Sequence, residues 1–176
     1  MNDMQSKRVI SKRLHLVLAL ALGISLMLAV FPTQASAAPV SGPYYAGERW
    51  IDVDLSNQTA TAYVGWTPVY TAYVTTGING RTPVGNWYIF YRVYDETMDS
   101  STIGIPRNGP GGWYLPHVYF TQYFAPGGFS LHYNYWADRS VFGNRPTSAG
   151  CVGMEYGDAA YFWDFAGIGT RVSIHY

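Results

Sequence analysis

The clearest pattern in the chain is an alternation of apolar and polar residues that starts at Trp50. Ile51, Val53 and Leu55 interleave with Asp52 and Asp54. A period of two puts one set on a core face and the other in solvent, as in a half-buried strand. Ser56, Asn57 and Gln58 read as a turn. Thr59 to Val64 and Val69 to Val74 are further β-rich runs, separated by Gly65 and Pro68. Asn79-Gly80 is a strong turn signal. Trp87 to Tyr94 is dense in aromatic and β-branched residues and predicts another strand. Residues 97–112 hold several Gly and Pro with little periodicity, which predicts a long surface loop. His117 to Phe124 and Phe129 to Tyr135 predict two strands joined by the turn Ala125-Pro126-Gly127-Gly128, and Val172 to His175 a last one. One helix is expected over Asp158 to Phe165, with Gly167 placed to stop it. Many short strands at close spacing define a mainly β, sandwich-like or barrel-like domain.

The N-terminal segment has a different pattern. Residues 1–13 are polar and basic, an apolar run extends from Leu16 to Phe31, and Ala35-Ser36-Ala37 follows. This order predicts a secretory signal peptide over residues 1–37, cut before Ala38. The apolar run is short against the ~20 residues that span a bilayer. Residues 38–49 are expected to be an extended leader and residues 50–176 the folded domain. The mature chain is then exported to the periplasm, cell wall or medium, with no membrane span of its own.

Composition narrows the function. Hydrophobic residues make up 48% of the chain and charged residues 12%, which excludes a disordered polyelectrolyte. Beyond residue 37 there are seven arginines, no lysine and ten carboxylates. A body with this negative balance and no basic patch is a poor nucleic-acid binder. The three histidines beyond residue 37, His117, His132 and His175, are not clustered, so no metal site is expected. No phosphate-cradling glycine motif is present, and no cofactor is expected. Asn57-Gln58-Thr59 fits a glycosylation sequon, a pattern common by chance. The carboxylates leave a glycosidase pair open, and Trp66, Trp113, Tyr114 and Trp136 leave open an aromatic module that stacks on glycan.

The single cysteine, Cys151, cannot form an intramolecular disulfide. It lies in Ser148-Ala149-Gly150-Cys151-Val152-Gly153. Small residues keep a thiol accessible and let backbone N–H groups point at a carbonyl oxygen. A nucleophilic thiol also needs a base, for which His132 is a candidate. A buried, inert thiol and a structural histidine are the alternative.

Three blocks in order resemble the L,D-transpeptidase catalytic domain, also called the YkuD domain. They are Trp50 to Ser56; Thr82-Pro83-Val84-Gly85-Asn86-Trp87; and His132-Tyr133-Asn134-Tyr135-Trp136 with Phe142 to Val152, continuing through Asp158-Ala159 to Gly169-Thr170-Arg171-Val172. The resemblance implies a mainly β, sandwich-like fold with a short helix after the cysteine loop. It implies cross-linking of peptidoglycan stem peptides through a thioester acyl-enzyme, or hydrolysis of the same intermediate as an L,D-carboxypeptidase or endopeptidase. By position, Cys151 matches the nucleophile, His132 the general base and acid, and the backbone carbonyl of Tyr133 the group that orients the imidazole. The N–H groups of Gly150 and Cys151 match the oxyanion hole, and Ser148, Ala149 and Val152 the substrate loop. Two positions depart from the family: Ala149 stands where His is usual, and Gly153 where Arg or Asn is usual. A catalytically degenerate wall-binding module is the alternative these departures raise.

Overall fold

The computed structural model describes residues 47–176. The expected signal peptide, and the leader as far as residue 46, lie outside the described residues. Among the described residues there are nine strands and one α-helix: β1 (Arg49–Asp54), β2 (Thr59–Val64), β3 (Thr67–Thr75), β4 (Gly85–Tyr88), β5 (Tyr91–Asp99), β6 (Tyr114–Ala125), β7 (Phe129–Tyr133), β8 (Val152–Met154), α1 (Tyr156–Phe165) and β9 (Arg171–His175). The strands run in the order β4-β9-β1-β2-β3-β8-β7-β6-β5. β3 belongs to both halves, pairing with β2 in one and with β8 in the other.

The inward faces of both halves meet in one core. Ile51 and Val53 of β1, Val74 of β3, Leu131 of β7, Val152 and Met154 of β8, and Val172 and Ile174 of β9 are all buried there. Ile51 and Val53, which the period-two pattern assigned inward, are among them, and the mainly β, sandwich-like expectation holds. α1 adds Ala159, Phe162 and Phe165 to the same core. Tyr70 ties the helix to β3 by donating to Asp158 at 2.6 Å. That bond, reinforced by burial, pushes the Tyr70 phenol up to about 12.

Three expectations change. The single strand over Trp87 to Tyr94 is two strands, because the chain changes partner at Ile89 and Phe90. β4 pairs with β9, whereas β5 pairs with β6 at the other end of the order. At the hand-over the Ile89 N–H donates to Thr170 and the Phe90 N–H to Tyr123. The 97–112 loop is shorter than expected, since β5 continues to Asp99 and a 3-10 turn follows over Ser100–Ile103, capped by the Asp99 carboxylate. Ser100 and Trp113 close the neck of the remaining loop, with the Ser100 N–H on the Trp113 carbonyl and the Trp113 N–H on Ser100 Oγ. β6 accordingly starts at Tyr114 rather than His117. Lastly, β8 has no counterpart in the sequence reading. A three-residue strand centred on Gly153 is too short to carry a period.

β1 and β9 run parallel, with Asp54 opposite His175. His175 Nε2 meets the Asp52 carboxylate at 3.1 Å, and this bond raises the imidazole above its ordinary value near 6.5. A group whose folded-state value is raised stabilises the fold fully below its unfolded value and loses that contribution as pH rises through the folded one. Stability is therefore expected to be fully supported below about pH 6.5 and to fall as pH rises above it and His175 deprotonates. His175→Gln should flatten that part of a thermal-melt profile, and an unchanged slope would show that the pair contributes nothing.

Candidate active site

β7 and β8 are adjacent and parallel, with His132 opposite Gly153 and Leu131 opposite Val152. Cys151 immediately precedes β8, and this register brings the thiol beside His132. The two residues the sequence reading singled out are thus assembled by one strand pair. His132 is buried, and its Nδ1 lies 2.8 Å from the Tyr133 carbonyl. A carbonyl only accepts, so Nδ1 carries the proton and Nε2 is the nitrogen left for the thiol. The Trp136 ring stacks on the imidazole at 5.5 Å between centroids.

Cys151 is half-buried. Burial by itself pushes the thiol up. The hydrogen bond and charge of His132, with hydrogen bonds from Ser130, outweigh that effect, and the net direction is down. Ser130 Oγ lies 3.6 Å from Sγ, and the Gly128 carbonyl 3.5 Å from it. A thiol below its ordinary range is the condition for a nucleophile at neutral pH.

The loop that carries the thiol is held from beneath by Thr82, which is buried. Its hydroxyl accepts from the Gly77 N–H and donates to the Gly150 carbonyl, both at 2.8 Å. Thr76 adds its carbonyl, which accepts from the N–H groups of Thr147 and Ser148 at 3.0 Å. Gly150 has φ +146°, and a Cβ there would run into the Phe129 ring and come within 3.3 Å of the Arg81 carbonyl. Only glycine fits.

Ser148 Oγ bridges the loop, donating to the Cys151 carbonyl at 2.6 Å and accepting from the Gly150 N–H at 3.0 Å. That amide is therefore directed at Ser148 rather than at the cavity. Val152 is buried in the core, whereas Ala149 is exposed on the cavity wall. Gly153 lies against the buried side chain of Asn134, where a Cβ would approach Nδ2 to 2.7 Å. Asn134 thus occupies the space into which a side chain at position 153 would extend.

The thiol and imidazole open into a cavity of about 570 Å³. Its walls are largely apolar, built from Ile78, Met98, Ile103, Trp113, Phe129 and Trp136. Trp113 and Trp136 therefore serve the cavity, whereas Trp66 is exposed and packs edge-on against Trp50. Tyr123 also lines the cavity. Burial, the Glu96 carboxylate and Cys151 push its phenol upward, so it stays a protonated donor. His117 and His175 are placed elsewhere, on Asp95 and Asp52.

Ser130, Thr82 and Arg81 were not singled out from the sequence. Ser130 is two residues before His132 on β7, hence on the same strand face, and that spacing was its one available signal.

The site is thus a strand-borne histidine beside a thiol on a clamped loop. The model of the YkuD family, the L,D-transpeptidase catalytic domain, matches residues 48–174, and the chain belongs to that family. It is 30% identical over 93 residues to a probable L,D-transpeptidase 3 and 29% identical over 93 residues to L,D-transpeptidase 1, both from Mycobacterium tuberculosis. Each match covers 53% of this chain, but only 34% and 36% of those proteins, so the matched part is about a third of their length. The fold superposes on an L,D-transpeptidase from Mycobacterium smegmatis with TM-score 0.67 and 25% identity, over 74% of this chain and 60% of that one. It also superposes on L,D-transpeptidase 3 from Mycobacterium tuberculosis in complex with a faropenem-derived adduct, with TM-score 0.67 and 23% identity, over 73% and 60% of the chains.

Thr82→Val keeps the shape of the side chain but leaves the Gly77 N–H and Gly150 carbonyl without their partner. This should cost about 1–3 kcal/mol of stability for each buried group left unpaired. It should also slow alkylation of Cys151 by iodoacetamide. Alkylation at the wild-type rate in a folded Thr82→Val protein would show that the clamp does not position the thiol.

Proposed function

We propose that the chain is an exported peptidoglycan L,D-transpeptidase with Cys151 as nucleophile and His132 as general base and acid. The observation that carries this reading is the lowered thiol of Cys151, paired with His132 and opening into a cavity large enough for a peptide. The thiolate attacks the carbonyl of the amide between an L-residue and the terminal D-residue of a donor stem peptide. The carbonyl oxygen becomes an oxyanion, and the Cys151 N–H donates to it. The Gly150 N–H joins as a second donor only if it leaves Ser148 Oγ. Collapse of the tetrahedral intermediate breaks the C–N bond. His132, holding the thiol proton on Nε2, passes it to the leaving amine. A thioester remains on Cys151 and the D-amino acid departs. The amine of a second stem peptide then attacks the thioester, His132 accepts its proton, and the cross-link leaves as the thiolate is restored. The Tyr133 carbonyl holds the imidazole in the required tautomer throughout.

The apolar walls support this reading because they offer few polar groups to hold a water beside the thioester between the two steps. Ala149, in place of the usual His, leaves the acid–base work to His132. Export follows from the signal-peptide pattern of residues 1–37 and matches an extracytoplasmic substrate.

Incubation with a stem tetrapeptide or a penem should add the mass of one acyl group to the protein. Cys151→Ser should abolish the adduct. His132→Ala should slow its formation by at least ~100-fold, with His117→Ala near wild type. Adduct formation in Cys151→Ser, or a wild-type protein that acquires no adduct, would contradict the reading.

A further inference from the structure

Beside the Cys151–His132 pair, the residues lining the cavity include one Arg, Arg81, and no Lys, Asp or Glu. Among the described residues the Arg81 guanidinium makes no ion pair. The other five arginines that follow it, apart from Arg145, all have a partner. Arg107, Arg139 and Arg171 pair with carboxylates, and Arg92 lies over the Trp163 ring.

The backbone of Arg81 is fixed close to the reacting atoms. Its N–H donates to the Ile78 carbonyl at 3.2 Å. Its own carbonyl lies against Gly150, and the next residue, Thr82, holds the Gly150 carbonyl. Arg81 is therefore anchored to the residue that precedes Cys151, and it lines the same cavity as the thiol. A guanidinium there with no carboxylate partner, against mostly apolar walls, suits a planar anion, which it binds through two parallel N–H bonds.

We infer that Arg81 is the specificity-determining residue that binds a carboxylate of the donor peptide during attack by Cys151. The inference rests on the transpeptidase reading of the same site. A donor with a terminal D-residue offers its terminal carboxylate one residue beyond the scissile carbonyl, and internal carboxylates are the second source of the same group. An exposed cation that makes no hydrogen bond to Sγ would act on binding rather than on the chemistry at sulfur.

Binding can be read without turnover in the Cys151→Ser protein by calorimetry. Three ligands separate the sources: the stem tetrapeptide as free acid, its terminal carboxamide, and a version with internal carboxylates amidated. Arg81→Gln should weaken the free acid at least tenfold. It should also remove the penalty that one of the two amidations imposes on the Arg81 protein, and Arg81→Lys should recover part of the loss. Iodoacetamide, a neutral reagent, should alkylate Cys151 in Arg81→Gln at the rate seen with Arg81 present. Equal binding of all three ligands, no binding of any, or amidation penalties that persist in Arg81→Gln would overturn the inference. So would a parallel loss of alkylation rate, which would make Arg81 a support for the thiolate instead. A protein that binds the acid through Arg81 yet forms no acyl adduct would refute the transpeptidase reading alone.

Discussion

The parallel pairing of β7 with β8 is the constraint on which the site depends. A parallel pair cannot be closed by a tight turn, so the chain must leave β7 and return through a long connection. Here that connection runs from Asn134 to Cys151 and delivers the thiol at the start of β8. The register that sets His132 opposite Gly153 is what brings imidazole and sulfur together. Because side chains alternate along a strand, a slip of one residue would turn His132 away. The core guards the register, since Leu131, Val152 and Met154 are all buried on these two strands.

The returning loop would be mobile without its anchors. Thr82, Thr76 and Ser148 satisfy its backbone groups, and Gly150 permits the close approach to Phe129. The sheet supplies rigidity and the loop supplies exposure, so the thiol is held still yet open to a peptide. Burial alone would keep the sulfur protonated. The imidazole at its side, oriented by the Tyr133 carbonyl and stacked by Trp136, reverses that preference. In an apolar cavity such charge interactions are strong, because little water competes with them.

Much of the fold was legible because period two is a local signal. Ile51, Val53 and Leu55 were assigned to the core from the alternation alone, and all three are buried. The break at Ile89 and Phe90 was not legible, because a strand that changes partner keeps its composition. β8 was hidden by its length, and the positive φ angles at His117 and Phe120 disturb β6 without a glycine to mark them. Cys151 and His132 stood out because thiol and imidazole are chemically conspicuous and their flanking residues resemble a family. Thr82, Ser130 and Asn134 act through tertiary contacts that residues of ordinary type do not advertise. Gly153 read as the loss of a polar side chain, whereas Asn134, distant in sequence, already fills that space.

The central claim is that His132 lowers the Cys151 thiol despite its burial. The ultraviolet absorbance of the thiolate, followed against pH as the difference between the protein and its Cys151→Ser variant, measures this directly. Cys151 is the one cysteine in the chain, so the signal has a single source. The account predicts a transition below the ordinary thiol value of 9.0 and its upward displacement in His132→Ala, where only Ser130 is left to oppose burial. A transition at or above the ordinary range in the unmodified protein, or one that His132→Ala leaves in place, would contradict it.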